Sequence, residues 1–262
     1  MTMHLSRCLG IARSLGLYYG VPFRLSRMRE LYAGLVPQGG LCFDIGAHVG
    51  NRLRCFRAMG ARVVALEPQP DFARILRVLY GRDPGVTILE AAVGAEAGEA
   101  TLLASIRTPT VTSLNPHWVA QVGNTLGFEH VDWAPGPTVR VTTLDSLVHR
   151  HGLPDFVKID VEGHESAVLA GLSQALPALS FEYLPAARDL AVACIDRLGA
   201  LGDYRYKWST GESSRFGSAQ WVAPQAALDW LAGLAPDSGS GDLYARLAGT
   251  DPAPAAAQRP NG

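Results

Sequence analysis

The residues best suited to chemistry begin with Asp44, Gly46 and Gly50, which lie at the end of a short apolar run. A second apolar run, residues 62–66, ends in Glu67, 23 positions after Asp44. A glycine turn lets the backbone approach a ligand closely, and an acid about 20 residues further on can accept hydrogen bonds from ribose hydroxyls. The spacing therefore predicts a site for a nucleoside cofactor.

The chemistry of this turn narrows the choice of cofactor. A dinucleotide-binding turn carries a middle glycine where this chain has His48, and no Gly-Lys-Ser/Thr of a phosphate loop follows. The carboxylate of Asp44 repels phosphate but attracts an ammonium group. S-adenosylmethionine carries a zwitterionic amino acid and a cationic sulfonium, so the turn favours this cofactor. A purely structural turn is the alternative.

A second group of reactive side chains is Asp160, Glu162, His164 and Glu165, which end or follow the apolar strand predicted at 156–160. Three carboxyl groups and an imidazole within six residues are costly to bury unless solvent or a ligand engages them. Crowded acids raise one another's pKa, which suits a general base. The alternative is a helix N-terminus that favours acids, and we expect Glu165 to be a solvated acid of its first turn.

Alternating strands and helices position both groups. The pattern predicts strands at 41–45, 62–66, 86–92, 156–160 and 179–181, and helices at 49–59, from 70 onward, at 146–150 and at 186–199. Such alternation implies a parallel sheet with right-handed crossovers, whose strand tips meet at one edge. Late strands at 204–208 and 220–222 are typical of a hairpin. We predict an α/β fold with a seven-stranded, mostly parallel sheet, an antiparallel strand and helices on both faces.

Composition and periodicity divide the chain into three parts. Residues 1–36 are predicted as a helical segment, residues 37–235 as the α/β domain, and residues 236–262 as a low-complexity, partly disordered tail. Within the domain, residues 95–145 interrupt the alternation with a long connection that carries two tryptophans. A connection of this length is usually functional or a lid, although its tryptophans can equally be packing residues.

Charge and cysteine usage argue against several classes of function. The net charge of −1 provides no global attraction to nucleic acid or to an anionic membrane. The four cysteines form no CxxC pair, which argues against a zinc site or a disulfide framework. No apolar stretch has the length of a membrane span, and no clear signal peptide is present. We therefore expect a cytoplasmic protein without a nucleic-acid partner or stable membrane insertion.

Five ordered motifs resemble those of the FkbM-family methyltransferases: Asp44-Ile-Gly-Ala-His-Val-Gly-Asn51, Leu66-Glu-Pro68, Ala92-Val-Gly94, Thr143-Leu-Asp145 and Lys158-Ile-Asp-Val-Glu-Gly-His-Glu165. The resemblance covers about residues 35–185, with His48 where the family often has Asn. It implies the class I methyltransferase fold, S-adenosyl-L-methionine as the cofactor, and O-methylation of a hydroxyl on a saccharide or a polyketide-like acceptor.

The same resemblance implies roles for single residues at the cofactor. Asp44, Gly46, Gly50 and Glu67 would bind it, and the backbone near Ala92 would lie beside the adenine. The expected partner is a small-molecule or glycan acceptor of the methyl group.

On the acceptor side, the resemblance places Asp160 next to the transferable methyl, where it would hold the cofactor's amino group or the acceptor hydroxyl. Transfer to oxygen requires removal of a proton, for which Glu162 or His164 is the candidate base. Alternatively, a metal held by Asp160, Glu162 and Glu182 could lower the pKa of the acceptor hydroxyl. Of the two possibilities, we predict a site without a metal.

Two other functions stay open at this point. One is a nicotinamide-dependent oxidoreductase on a similar sheet, against which the incomplete glycine pattern and Asp44 argue. The other is a non-catalytic cofactor-binding protein that has kept the fold.

Overall fold

The computed structural model describes residues 16, 19–20, 23–105, 108–123, 125 and 127–250. The helices and strands, in chain order, are α1 (Arg24–Tyr32), β1 (Leu41–Ile45), α2 (Asn51–Ala58), β2 (Arg62–Leu66), α3 (Pro70–Tyr80), β3 (Val86–Leu89), β4 (Ala92–Val93), β5 (Gly98–Ser105), α4 (Pro116–Val122), β6 (Trp133–Thr142), α5 (Leu144–His151), β7 (Phe156–Ile159), α6 (Glu165–Ala170), β8 (Ala178–Tyr183), α7 (Arg188–Leu201), β9 (Tyr204–Thr210), α8 (Pro224–Ala232) and β10 (Gly241–Leu247). Short 3-10 turns lie at Pro109–Val111 and Pro185–Ala187.

The central sheet of the described residues has seven strands in the order β3-β2-β1-β7-β8-β10-β9. Strands β1, β2, β3, β7 and β8 pair in parallel, whereas β10 runs antiparallel to both of its neighbours. The predicted mostly parallel sheet with an antiparallel strand is therefore confirmed. The strand order reverses at β1, which pairs with β2 on one side and β7 on the other, and ligands of open α/β sheets bind at such a point.

Apolar side chains cover both faces of this sheet. One core lies between the sheet and helices α5 to α8 and includes Phe43, Val157 and Phe181. The other lies under α1, α2 and α3, where the ring of Tyr32 packs edge-on against Phe56 and Phe156. Helices thus lie on both faces, as predicted. In the part of the chain that is described, no helix is long and apolar enough to cross a lipid bilayer.

The C-terminal strand corrects the predicted domain boundary. Residues 241–247 fall in the range assigned to a low-complexity tail, yet they form β10 between β8 and β9. The segment alternates, with Leu243 in one core and Tyr244 in the other, and this period of two was hidden by the Pro- and Ser-rich residues before it. Of the two strands of the predicted hairpin, the first forms β9, whereas the second, at 220–222, makes only an isolated bridge from Val222 to Tyr206. Residues 1–15 and 251–262, which carry the rest of the terminal predictions, lie outside the described residues.

The long connection at residues 95–145 forms a second layer over the sheet edge. Strands β4, β6 and β5 make a three-stranded sheet, so the strand predicted at 86–92 is divided between two sheets. Trp118 is buried and meets Trp133 and Phe128 in edge-on contacts with centroids 6.2 and 5.6 Å apart. The tryptophans pack the connection against the strand tips.

Because β10 is central to the sheet, shortening one of its core side chains should be costly. We expect Leu243→Ala to lower the free energy of unfolding by about 2–5 kcal/mol, since the buried side chain would leave a cavity. Urea unfolding followed by circular dichroism measures this change. Leu153→Ala is the matched control because Leu153 is 50% exposed. Equal losses in the two variants would contradict a central position for β10.

Candidate active site

The glycine turn after β1 brings three strand tips together. The backbone N–H groups of Gly46 and Ala47 both donate to the Leu66 carbonyl at the end of β2, at 2.9 Å. Gly46 has φ +82°, and a Cβ at this position would collide with the carbonyl oxygen of Asp160 after β7. Only glycine combines a readily adopted positive φ with the absence of a Cβ atom. The turn therefore fixes the distance between the tips of β1 and β7.

Asp44 is a buried acid at the base of this turn. Its side chain is 1% exposed, and its Oδ2 atom has no hydrogen-bond partner among the described residues. Burial raises the pKa of Asp44 to about 7, although the charges of Arg52 and Lys158 act in the opposite direction. Since an unpaired buried carboxylate is costly, this position suits a cationic ligand group.

Glu67 is held at the tip of β2 by backbone hydrogen bonds. Its Oε2 accepts from the N–H of His48 at 2.8 Å, and its Oε1 accepts from the N–H of Gln69 at 2.9 Å. His48 has φ +49°, and its ring lies 4.1 Å from that of Phe72. Burial lowers the pKa of His48 to about 4, so the imidazole is neutral at pH 7. The carboxylate of Glu67 is thus fixed in place and lines a cleft.

That cleft has a volume of about 930 Å³ including its open mouth. Seven predicted site residues line it, namely Asp44, Gly46, Glu67, Ala92, Asp160, Glu162 and His164. The remaining predicted residue, Gly50, is absent from this lining. It has φ +84°, and a Cβ there would lie 2.8 Å from Leu76 and 3.0 Å from Tyr80 of α3. Gly50 therefore serves helix packing, and its contact with the cofactor stays a prediction.

Several lining residues were missed by sequence reasoning. They are Arg52, Gln69, Thr110, Thr112, Leu102, Leu114 and Glu212. Gln69 directly follows the Leu-Glu-Pro motif, and this position in the sequence could have indicated that it lines the site. Arg52 lies in α2, directly after the glycine turn. The other residues come from the connection at residues 95–145 and from the loop after β9, and only the folded chain brings these segments to the cleft.

A buried lysine connects Asp160 to the interior of the sheet. Lys158 is fully buried, and its Nζ lies 3.1 Å from Asp160 Oδ2 and 2.7 Å from Asp242 Oδ1 on β10. Burial opposes the charge on Lys158, but the two carboxylates outweigh it and hold the pKa of the lysine above its usual value. Burial would likewise raise the pKa of Asp160, but Lys158 holds that pKa below its usual value. Asp160 is therefore ionised at neutral pH.

The acids beyond Asp160 behave differently. Burial first, and then neighbouring carboxylates, raise the pKa values of Glu162 and Glu182 well above their usual range. One carboxylate oxygen each of Asp160, Glu162 and Glu182 lies within 4.8 Å of the others, so these three residues have the spacing to hold a divalent cation. These are the three residues that the sequence had indicated as possible metal ligands.

Glu165 corrects an expectation. It is buried rather than solvated, and its Oε1 accepts hydrogen bonds from the N–H groups of Val161 and Gly163 at 3.1 and 3.3 Å. Burial raises the pKa of Glu165 to about 7. Glu162 and Gly163 both have positive φ, so Glu165 stabilises a sharp backbone turn. The sequence pattern of a first-turn acid does not reveal that this carboxylate folds back on its own turn.

His164 lies at the cleft immediately before α6. Burial lowers the pKa of His164, so its imidazole is neutral at pH 7. A Cβ on Gly94 would lie 3.4 Å from the Nε2 atom of His164, and the missing side chain leaves room for the ring. The cleft therefore joins the carboxyl groups of Asp44 and Glu67 to an acid–base end formed by Asp160, Glu162 and His164.

Comparison with known families identifies the class of protein. The family model of the methyltransferase FkbM domain matches residues 44–193, which is more than half of the 262 residues. The chain belongs to the FkbM methyltransferase family. Its sheet order and helical layers are those of the class I methyltransferase fold.

A curated relative of this FkbM-family chain is the hexuronic acid methyltransferase AglP of Haloferax volcanii. The two are 29% identical over 142 residues, which cover 53% of this chain and 52% of AglP. The matched region therefore spans about half the length of that relative.

Two solved structures show similarity to this chain. An O-methyltransferase from Bacillus cereus, in complex with SAH, has a TM-score of 0.44 at 14% identity over 94% of this chain and 90% of that one. Fibrillarin of Aeropyrum pernix, with bound S-adenosyl-L-methionine, has a TM-score of 0.44 at 9% identity over 80% of this chain and 68% of that one.

Methyltransferases of this family use S-adenosylmethionine, so this is the cofactor of the chain. The residues of the cleft fit it in two respects. Asp44 offers a cation a buried carboxylate oxygen that has no hydrogen-bond partner among the described residues, and Glu67 holds its carboxylate at the tip of β2.

The raised pKa of Asp44 predicts a conflict between stability and binding. A carboxyl whose pKa is about 7 when folded and about 4 when unfolded contributes stability below pH 4, which is lost as the pH rises through 7. We expect Asp44→Asn to raise the free energy of unfolding at pH 8 by roughly 1–3 kcal/mol, with a smaller gain at pH 5, and to weaken binding of S-adenosylhomocysteine.

Urea unfolding at the two pH values and calorimetric titration measure both effects. Asp196→Asn, at an exposed position of α7, is the control and should change neither. A stabilisation by Asp44→Asn that is the same at pH 5 and pH 8 would contradict the assignment.

Proposed function

We propose that this FkbM-family enzyme transfers a methyl group from S-adenosylmethionine to an oxygen of a saccharide. The observation that carries the proposal is the single cleft that joins Asp44 and Glu67 to Asp160 and His164. A nucleoside site and a proton acceptor within one cavity would allow the methyl group to be transferred directly to the acceptor oxygen. The saccharide class is supported by the similarity to a hexuronic acid methyltransferase, and it is favoured here over a polyketide-like acceptor.

Four residues are proposed to hold the cofactor. Asp44 pairs with its ammonium group, Glu67 accepts hydrogen bonds from its ribose, Gly46 allows the backbone of the turn to come close, and Ala92 lines the adenine end. When bound, the cofactor supplies a methyl group on a sulfonium, which an oxygen nucleophile can accept directly. The task of the protein is then to orient the acceptor and to take its proton.

His164 is the proposed general base. Burial keeps the imidazole neutral at pH 7, so its ring can accept a proton from the acceptor hydroxyl. Burial and the neighbouring carboxylates raise the pKa of Glu162 well above its usual value, which favours the protonated carboxyl and a role as hydrogen-bond donor. Asp160 is ionised but is committed to Lys158. We propose that Asp160 orients the acceptor hydroxyl and that His164 removes its proton.

The choice of acceptor can be tested directly. Purified protein is incubated with tritiated S-adenosylmethionine and three acceptors: a glucuronide, the matching neutral glucoside and a macrolide. We expect label on the glucuronide or on both sugars, and none on the macrolide. Label on the macrolide alone would overturn the saccharide proposal. Tight binding of S-adenosylhomocysteine without transfer to any acceptor would favour the non-catalytic alternative.

Replacing the proposed base should affect turnover rather than binding. We expect His164→Ala to lower kcat by roughly 10²–10⁴-fold, because a positioned base contributes about that much, while the affinity for S-adenosylhomocysteine stays unchanged. His117→Ala, at an exposed position of α4, is the matched control. If His164→Ala retains full kcat and Glu162→Gln does not, Glu162 is the base.

A further inference from the structure

Arg52 is a cation of the cleft to which neither the sequence motifs nor the proposed chemistry assigns a role. It is the second residue of α2, directly after the glycine turn, and it lines the cleft together with Asp44. Its side chain is only 12% exposed, and its Nε atom has no hydrogen-bond partner within the described part of the chain. A buried guanidinium with spare donors is well suited to bind a carboxylate.

Arg52 Nη1 donates to Met28 Sδ at 3.1 Å, and the carboxylate nearest to the guanidinium comes from a distant loop. Glu212, in the loop after β9, places its Oε2 atom 3.5 Å from Nη1 and 3.4 Å from Nη2 of Arg52. The same oxygen lies 2.7 Å from Nη2 of Arg24 on α1. Asp242 is further from Arg52, at 3.8 Å. Glu212 is therefore bonded closely to Arg24 and only loosely to Arg52.

We propose that Arg52 binds the α-carboxylate of the amino-acid end of S-adenosylmethionine, and that Glu212 occupies this position until the cofactor displaces it. The proposal rests on the cofactor site proposed above. It adds a residue for the carboxylate and assigns a function to the loop after β9.

The arrangement of charges supports the cofactor as the source of the carboxylate. An α-amino acid carries its ammonium and carboxylate groups on one carbon, so it requires an acid and a base side by side. Asp44 and Arg52 provide this pair on either side of the glycine turn, in the same cleft. The N-terminus of α2 adds partial positive charge at the same place. A carboxylate on the acceptor is the second possible source, and the experiment separates the two.

The contacts of Glu212 make displacement inexpensive. Its side chain is 48% exposed, so solvent can stabilise the carboxylate when it leaves Arg52. Its shorter bond, to Arg24, need not break. Glu212 can therefore move away from the cleft while it stays attached to α1, and the loop after β9 would shift only locally.

Two ligands that differ only in the amino-acid end test the proposal. S-adenosylhomocysteine carries the carboxylate, whereas 5′-methylthioadenosine keeps the nucleoside and the thioether without it. We expect Arg52→Gln to weaken S-adenosylhomocysteine about tenfold or more and to change methylthioadenosine less than about twofold. Glu212→Gln should tighten S-adenosylhomocysteine by about two- to fivefold, because the internal competitor is lost. Arg54→Gln, two residues further along α2 and stacked on Tyr19, is the matched control.

Each other result has a distinct meaning. Equal weakening of both ligands by Arg52→Gln would overturn the proposal and indicate a structural role, as would unchanged affinity in both variants. A rise in KM for an acidic acceptor, with unchanged S-adenosylhomocysteine affinity, would assign the carboxylate to the acceptor. If Arg52→Gln fails to fold, Glu212→Gln decides alone. Failure of the wild-type protein to bind either ligand would reject the cofactor site itself.

Discussion

The buried ammonium of Lys158 is the interaction on which the candidate site depends. Its three N–H groups are used by Asp242, Asp160 and the carbonyl of Ile159, at 2.7, 3.1 and 3.2 Å. The lysine thereby ties β7 to β10, two strands apart in the sheet, and fixes Asp160 in the lining of the cleft. Breaking a buried pair by removing one partner leaves an uncompensated charge, which is strongly destabilising. The same buried lysine therefore stabilises the sheet, through Asp242, and positions the carboxylate of Asp160 in the cleft.

Around Lys158 the protein buries several carboxyl groups whose ionised forms it stabilises poorly in the absence of a ligand. Asp44, Glu162 and Glu182 all have raised pKa values because burial disfavours their charge. A core of the same size without them would be more stable. The cost is consistent with a cavity shaped for a cationic ligand, because a bound positive charge relieves the burial of the carboxylates it faces.

Much of this architecture is readable from the sequence, for identifiable reasons. The strands that end in Asp44, Glu67 and Asp160 are short apolar runs between turns, and their parallel connection follows from the intervening helices. Strand β10 was missed because its alternation is only seven residues long and follows a Pro- and Ser-rich stretch. The burial of Glu165 and the approach of Glu212 were also missed. Both depend on backbone turns and loop positions that leave no periodic signal in the chain.

The late position of β10 has a consequence for how the protein is made. Asp242 follows Lys158 by 84 residues, so a ribosome completes β7 long before it supplies the second counter-charge of the lysine. Until then, the edge of β8 that pairs with β10 in the folded sheet has no partner strand. The nascent chain can close its sheet only after Leu247 has left the exit tunnel. Stalled or prematurely terminated translation products would accordingly be natural targets for chaperones and proteases.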